Sequence, residues 1–118
     1  MQKYMQVTSE TVERGPLGRA VVIAPEGEVD MHESPRLRTA LLDALAGGPA
    51  AVVVDLAGVS FMASSRVATL VEAMKLAKAA GVPLTLCSMS GTVRDVFALA
   101  RLDKFFRLAA TRREALEA

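Results

Sequence analysis

At 118 residues the chain is long enough for one domain with its own hydrophobic core, without disulfides or metals to hold it. Fourteen basic against thirteen acidic residues leave a net charge of +1, which excludes the electrostatic footprint of a nucleic-acid binder. Aromatics are only 4% of the chain, so the core must be aliphatic and stacking platforms for single strands are missing. The one cysteine, Cys87, rules out an internal disulfide and fits a reducing compartment. No apolar run reaches the length of a membrane span, and MQKYMQVTSE has no signal-peptide core. A soluble, cytoplasmic, single domain over residues 1–118, with no direct membrane insertion, is expected.

Residues 3–13 mix Val, Thr and Tyr at strand-like alternation, and Arg14-Gly15-Pro16-Leu17-Gly18 reads as a turn. Ala20 to Ala24 is a second strand, and Pro25-Glu26-Gly27 a break before Glu28-Val29-Asp30. The simplest arrangement is an antiparallel hairpin whose second strand bulges or kinks at Gly27. Ser34-Pro35 starts a helix, with proline suited to the first helical position. Its apolar stripe is Leu37, Ala40, Leu41, Ala44 and Leu45, and Gly47-Gly48-Pro49 ends it.

Val52, Val53 and Val54 fit a strand buried on both faces, closed by Asp55. A turn containing Gly58 follows, and then Ser64 and Ser65 stand at the threshold of a long helix. Val67, Leu70, Val71, Met74 and Ala77 make one apolar stripe, and Gly81 then Pro83 stop the helix. Pro83 to Cys87 is another buried strand. Ser90 precedes a shorter helix in which Val93, Phe97 and Ala100 repeat at helical spacing. After the turn Leu102-Asp103-Lys104, Phe105 to Leu108 reads as a last edge strand, and Thr111 caps a helix ending near Glu117. The class expected is α/β. A mixed sheet of four to five strands, an N-terminal antiparallel hairpin followed by parallel strands, carries about four helices.

The start of the long helix has a chemical consequence. Its unpaired N–H groups and positive dipole end suit a capping hydroxyl, and equally a phosphate carried on one. Ser64 is expected to cap and Ser65 to be the first helical residue. At about 100° per residue, Ser65, Thr69, Glu72 and Leu76 fall together opposite the apolar stripe. Leu76 is then an apolar residue on a solvent face, either a stray leucine or part of a partner-binding surface.

Enzyme chemistry finds little support. His32 stands alone in a polar turn without a metal-ligand spacing, and reads as a solvated loop residue. Cys87 lies mid-strand and reads as a buried small hydrophobe. No G-x-x-x-x-G-K or G-x-G-x-x-G loop is present, and a nucleophilic Ser65 would have only His32 as base. Asp55 at a strand end invites a phosphoacceptor reading, but the segment MQVTSET offers only Glu10 to help hold magnesium. A carboxylate satisfying turn amides is the better account of Asp55. No cofactor or metal is expected.

VVVDLAGVSFMASSRVATLV resembles the signature of the STAS domain in bacterial anti-sigma factor antagonists. That signature is an aspartate-leucine ending a strand, a loop to Phe/Met-Asp-Ser-Ser/Thr-Gly, and a hydrophobic helix. Gly27-Glu28-Val29-Asp30, Pro83-Leu84-Thr85-Leu86 and Val93 to Phe106 resemble further segments of the same fold, in order and spacing, over almost the whole chain. The resemblance implies a STAS fold and a partner-switching role. The unphosphorylated domain binds an anti-sigma factor that is also a serine kinase, the kinase phosphorylates a serine at the start of the central helix, and a serine phosphatase reverses it. Carried over by position, the phosphoacceptor is Ser65, with Ser64 second. Asp30, Ser64, Arg66, Thr69, Glu72 and Leu76 are the expected partner-binding residues. Such a phosphate would put nearly two negative charges on a docking face.

Two positions depart from the family pattern: Ala63 replaces its aspartate and Arg66 its glycine. The arginine lies where a partner approaches, yet it suits pairing with a phosphate on Ser65. The chain is thus a divergent binder without the phospho-switch, a substrate of an atypical kinase, or a sequence altered at these positions. An alternative role is a non-switching STAS subunit of a lipid-transport complex or stress-sensing assembly, with Ser65 only a cap. An enzyme is the third reading, which the missing catalytic groups oppose.

Overall fold

A computed structural model describes residues 6–29, 34–62 and 64–117. Strands β1 (Gln6–Glu13) and β2 (Arg19–Val29) form the expected hairpin across a short 3-10 turn, Gly15–Leu17. Helix α1 (Ser34–Ala46) leads to β3 (Ala51–Asp55), and β4 (Val59–Met62) leads to the long helix α2 (Ser64–Ala80). Then come β5 (Leu84–Cys87), α3 (Gly91–Leu99), β6 (Arg107–Ala109) and α4 (Arg112–Glu117). The main strand order is β1-β2-β3-β5-β6, antiparallel at β1–β2 and parallel afterwards. This is the mixed α/β class that the alternation of elements predicts.

The pleat sorts the apolar residues into two layers. Ile23, Val52, Val54, Leu84 and Leu86 turn to one face and share a large core with the stripes of α1, α2 and α3. Val22, Val53 and Cys87 turn to the other face, where α4 covers them with Ala115 and Leu116. Strand β3 is buried at every position because both layers use it. The expected stripes hold: Leu37 and Leu41 of α1, and Val67, Leu70, Met74 and Ala77 of α2, are all buried. Helix α2 stops as its glycine predicts. Gly81 adopts φ +72°, and the Val82 and Gly81 N–H groups donate to the Ala77 and Lys78 carbonyls at 2.9 and 3.1 Å. That is a Schellman cap, whose left-handed position glycine fills without a Cβ penalty.

Four details differ from the sequence reading. First, β4 is a sixth strand where a loop was expected. It pairs parallel with the end of β2 (Gly27 with Val59, Glu28 with Phe61, Val29 with Met62), more than thirty residues away in sequence. Four residues bracketed by Gly58 and the serines carry too little pattern to announce such a non-local partner. Second, Pro25 does not break β2. Its pairing with β3 stops at Ile23 and that with β4 begins at Gly27, so Pro25 falls between partners on that side. The irregularity expected at Gly27 is present, as a register shift between Gly27 and Glu28 against β4. Third, the last strand starts at Arg107, because Phe106 leaves the turn to pack edge-on against Phe97 at 5.5 Å. Fourth, Ala100 is exposed and caps α3 instead of extending its stripe.

Candidate functional site

The site grows from the turn that follows β3. Asp55 Oδ1 accepts the Ala57 N–H at 3.0 Å, the turn-capping role its position suggests. Its Oδ2 accepts from Arg112 Nε at 2.7 Å, and Arg112 Nη1 reaches Glu10 Oε1 at 3.1 Å. Both carboxylate oxygens therefore serve the fold, and Arg112 ties α4 to the middle of β1 and the end of β3. Leu56 N–H donates to the Cys87 carbonyl at 2.9 Å, and Gly27 N–H to the Gly58 carbonyl at 2.8 Å. A Cβ on Gly58 would meet Glu26 Cγ at 2.8 Å and the Pro25 carbonyl at 3.3 Å, so the two backbones approach only because this residue has none. The turn sets the line of β4, and β4 delivers the chain to α2.

Ser64, Ser65 and Arg66 form the first turn of α2, a helix of 17 residues. The helix begins at Ser64, one residue earlier than expected, so both serines lie where the backbone N–H groups lack intrahelical acceptors. Asp30, His32 and Ala63 fall outside the described residues.

On the flank of α2 behind the serines, the expected solvent face is only partly present. Leu76 is 43% exposed, as its phase predicts. Glu72 is exposed but engaged: Arg38 of α1 donates to its two oxygens at 2.8 and 3.2 Å and holds its carboxyl below the usual range. The pair is solvated and adds little stability; it bridges α1 and α2 at the surface, above the core that packs them. Thr69 is the correction: it is 9% exposed and cannot present itself to a partner. The neighbouring helix explains it, since α1 packs along this flank and Ala73, one turn on, is buried with it.

Cys87 is 1% exposed, and burial pushes its thiol pKa up. The native thiol is expected to stay protonated and unlabelled by a disulfide reagent at about pH 8, and to react only when the chain opens. Because the folded-state pKa is raised, the thiol's contribution to stability is complete below its unfolded value of about 8.5 and declines as pH rises beyond it. Urea titrations at neutral and alkaline pH, with Cys87→Ala as reference, check that sign. Native labelling as fast as that of a free thiol would show an open site.

Arg112, Glu10 and Arg38 are the interacting residues that sequence reasoning missed as partners. Asp55 and Arg112 are 57 positions apart, and no local pattern joins them. Arg38 and Glu72 stand on the polar flanks of two helices whose apolar stripes were legible, but their relative rotation was not.

A fold of this order, with two serines opening the helix after β4, is that of one family. The model of the STAS domain matches residues 10–115, and the chain belongs to the STAS domain family. Among solved structures, the anti-sigma factor antagonist SpoIIAA in its unphosphorylated form is 29% identical, with a TM-score of 0.77 over 95% of this chain and 94% of that one. The phosphorylated form of the Bacillus cell fate determinant SpoIIAA is 28% identical, with a TM-score of 0.70 over 95% and 97%. An anti-sigma factor antagonist from Mycobacterium paratuberculosis is 25% identical, with a TM-score of 0.77 over 95% and 92%. Among the described residues no helix is long and apolar enough to cross a membrane.

Proposed function

We propose that this chain is an anti-sigma factor antagonist, a single-domain, non-enzymatic binding module switched by phosphorylation of Ser65. The carrying observation is that Ser64 and Ser65 open a 17-residue helix whose outer face, about three turns on, exposes Leu76. A phosphate at a helix N-terminus meets unpaired N–H groups and the positive dipole end, so the fold tolerates it. The same phosphate adds nearly two negative charges beside a docking surface, so an adapted partner does not. Likeness to SpoIIAA in both its unphosphorylated and phosphorylated forms supports this reading. The partners are an anti-sigma factor with serine kinase activity and a serine phosphatase. Arg66 stands next to the acceptor in place of the family's glycine, where a guanidinium suits a phosphate.

The test is incubation with the anti-sigma factor kinase and ATP, followed by intact-protein and peptide mass spectrometry. One phosphate on Ser65, lost in Ser65→Ala, and a weaker complex after phosphorylation are expected. A phosphate on Ser64 would move the acceptor by one position. No phosphate with a tight complex still formed would make the chain a constitutive binder, with both serines serving the helix end alone.

A further inference from the structure

A groove of about 660 Å³ runs along α2 and is closed on its other side by the end of α3. Its floor is apolar: Val67, Ala68, Val71 and Leu76 from α2, Ala100 and Leu102 from the turn after α3. From Val67 to Leu76 the floor follows nine residues of helix, about 14 Å at the α-helical rise. That length matches two to three turns of another helix, presenting apolar side chains at i, i+4 and i+7.

The rim is cationic. Lys75 lines the groove, Arg101 lies between its two α3-side residues, and Lys104 follows in the next turn, against a single carboxylate there, Asp103. All three cations are exposed, and none makes an ion pair among the described residues. Glu72, the acid on the groove wall, is already held by Arg38.

Arg101 supplies a second observation. Its N–H donates to the Ala98 carbonyl at 3.0 Å and that of Leu102 to the Phe97 carbonyl at 2.9 Å, the hydrogen bonds of a Schellman cap. Arg101 occupies the left-handed position of that cap, at φ +59°. Gly81 fills the equivalent place at the end of α2. A cation thus stands in the turn that closes the groove, at a position where the backbone favours glycine.

We infer that this groove takes one helix of a partner protein, apolar on the side that enters and flanked by carboxylates that meet Lys75, Arg101 and Lys104. The inference rests on the reading of the chain as a binding module. It does not need the phosphoacceptor: its test uses neither kinase nor ATP, so either reading can fail alone.

The probe is a synthetic helical peptide with leucines at i, i+4 and i+7 flanked by glutamates, paired with a twin carrying lysines for the glutamates. Binding is measured by fluorescence anisotropy, with the contact surface mapped by amide chemical shifts of the full chain. The acidic peptide is expected to bind at least about tenfold tighter than its twin and to weaken as salt is raised. Shifts should centre on Val71, Leu76 and Leu102. Leu76→Asp should cost about tenfold or more in affinity. Arg101→Gly is the decisive variant: it relieves the left-handed strain, so the melting temperature should hold or rise, while affinity for the acidic peptide falls several-fold. Equal binding of both peptides, shifts away from the groove, unchanged affinity in Arg101→Gly, or no saturable binding would each overturn the inference.

Discussion

Replacing Phe97 with alanine is expected to remove about 3–5 kcal/mol of stability. That is much of the margin of a domain whose total is about 5–15 kcal/mol. Phe97 is fully buried on α3, within the large core under the sheet. Its ring meets Phe106 edge-on at 5.5 Å and 67°, and Phe106 meets Phe105 at 5.1 Å and 88°. Edge-to-face pairs add about 0.5–1.5 kcal/mol beyond the area they bury. The cavity left by alanine would close poorly, because α3 is pinned at both ends. Ser90 Oγ accepts the Val93 N–H at 3.3 Å, and the Schellman bonds around Arg101 fix the other end. Phe97→Leu, which keeps most of the volume, should cost less than about 1.5–2 kcal/mol. Urea unfolding of the three proteins measures the difference. A loss below about 1.5 kcal/mol in Phe97→Ala would mean that the aliphatic core closes over the site.

Phe97 also marks what could be read in advance. Its helical phase with Val93 was visible in the sequence, and both are buried. Its contact with Phe106 was not, since a turn lies between them and the two phenylalanines after Lys104 looked equally like strand. The same division holds elsewhere. The stripes of α1 and α2, the buried run of β3, and the caps at Ser90, Thr111 and Gly81 are local patterns with local causes, and the structure has them. What needed a third dimension was lost. Thr69 is at the expected angle on α2, but α1 lies beside it, and nothing in the spacing of either helix says on which flank its neighbour packs. Strand β4 is four residues whose only reason to be a strand is the end of β2. For the candidate site, the position of Ser64 and Ser65 was legible because a strand-turn-helix passage bounds them. The groove was not, because its far side comes from the turn after α3.

Asp55→Ala is expected to cost about 2–3 kcal/mol, as the loss of two hydrogen bonds, one of them charge-assisted. The side chain is 10% exposed, while that of Arg112 is 39% exposed, so the guanidinium left behind can turn to water and the penalty stays below that of a sealed ion pair. Asp55→Asn keeps an acceptor for the Ala57 N–H but gives up the charge and the bond from Arg112 Nε, and should lose somewhat less than Asp55→Ala. A double-mutant cycle with Arg112→Met should return a coupling of about 1–2 kcal/mol. A coupling near zero, with Asp55→Ala costing under about 0.5 kcal/mol, would reduce the pair to a solvated surface contact. Hydrogen exchange adds a readout that stability alone does not. Asp55 closes the turn that aims β4, and β4 meets α2 at the two serines. Asp55→Ala should therefore speed exchange at Val59, Phe61 and Met62 more than at Val52 or Val54, whose ladders lie inside the sheet. Uniform acceleration would place the role of Asp55 in holding α4 on the sheet; acceleration centred on β4 would make this buried carboxylate the residue that positions the first turn of α2.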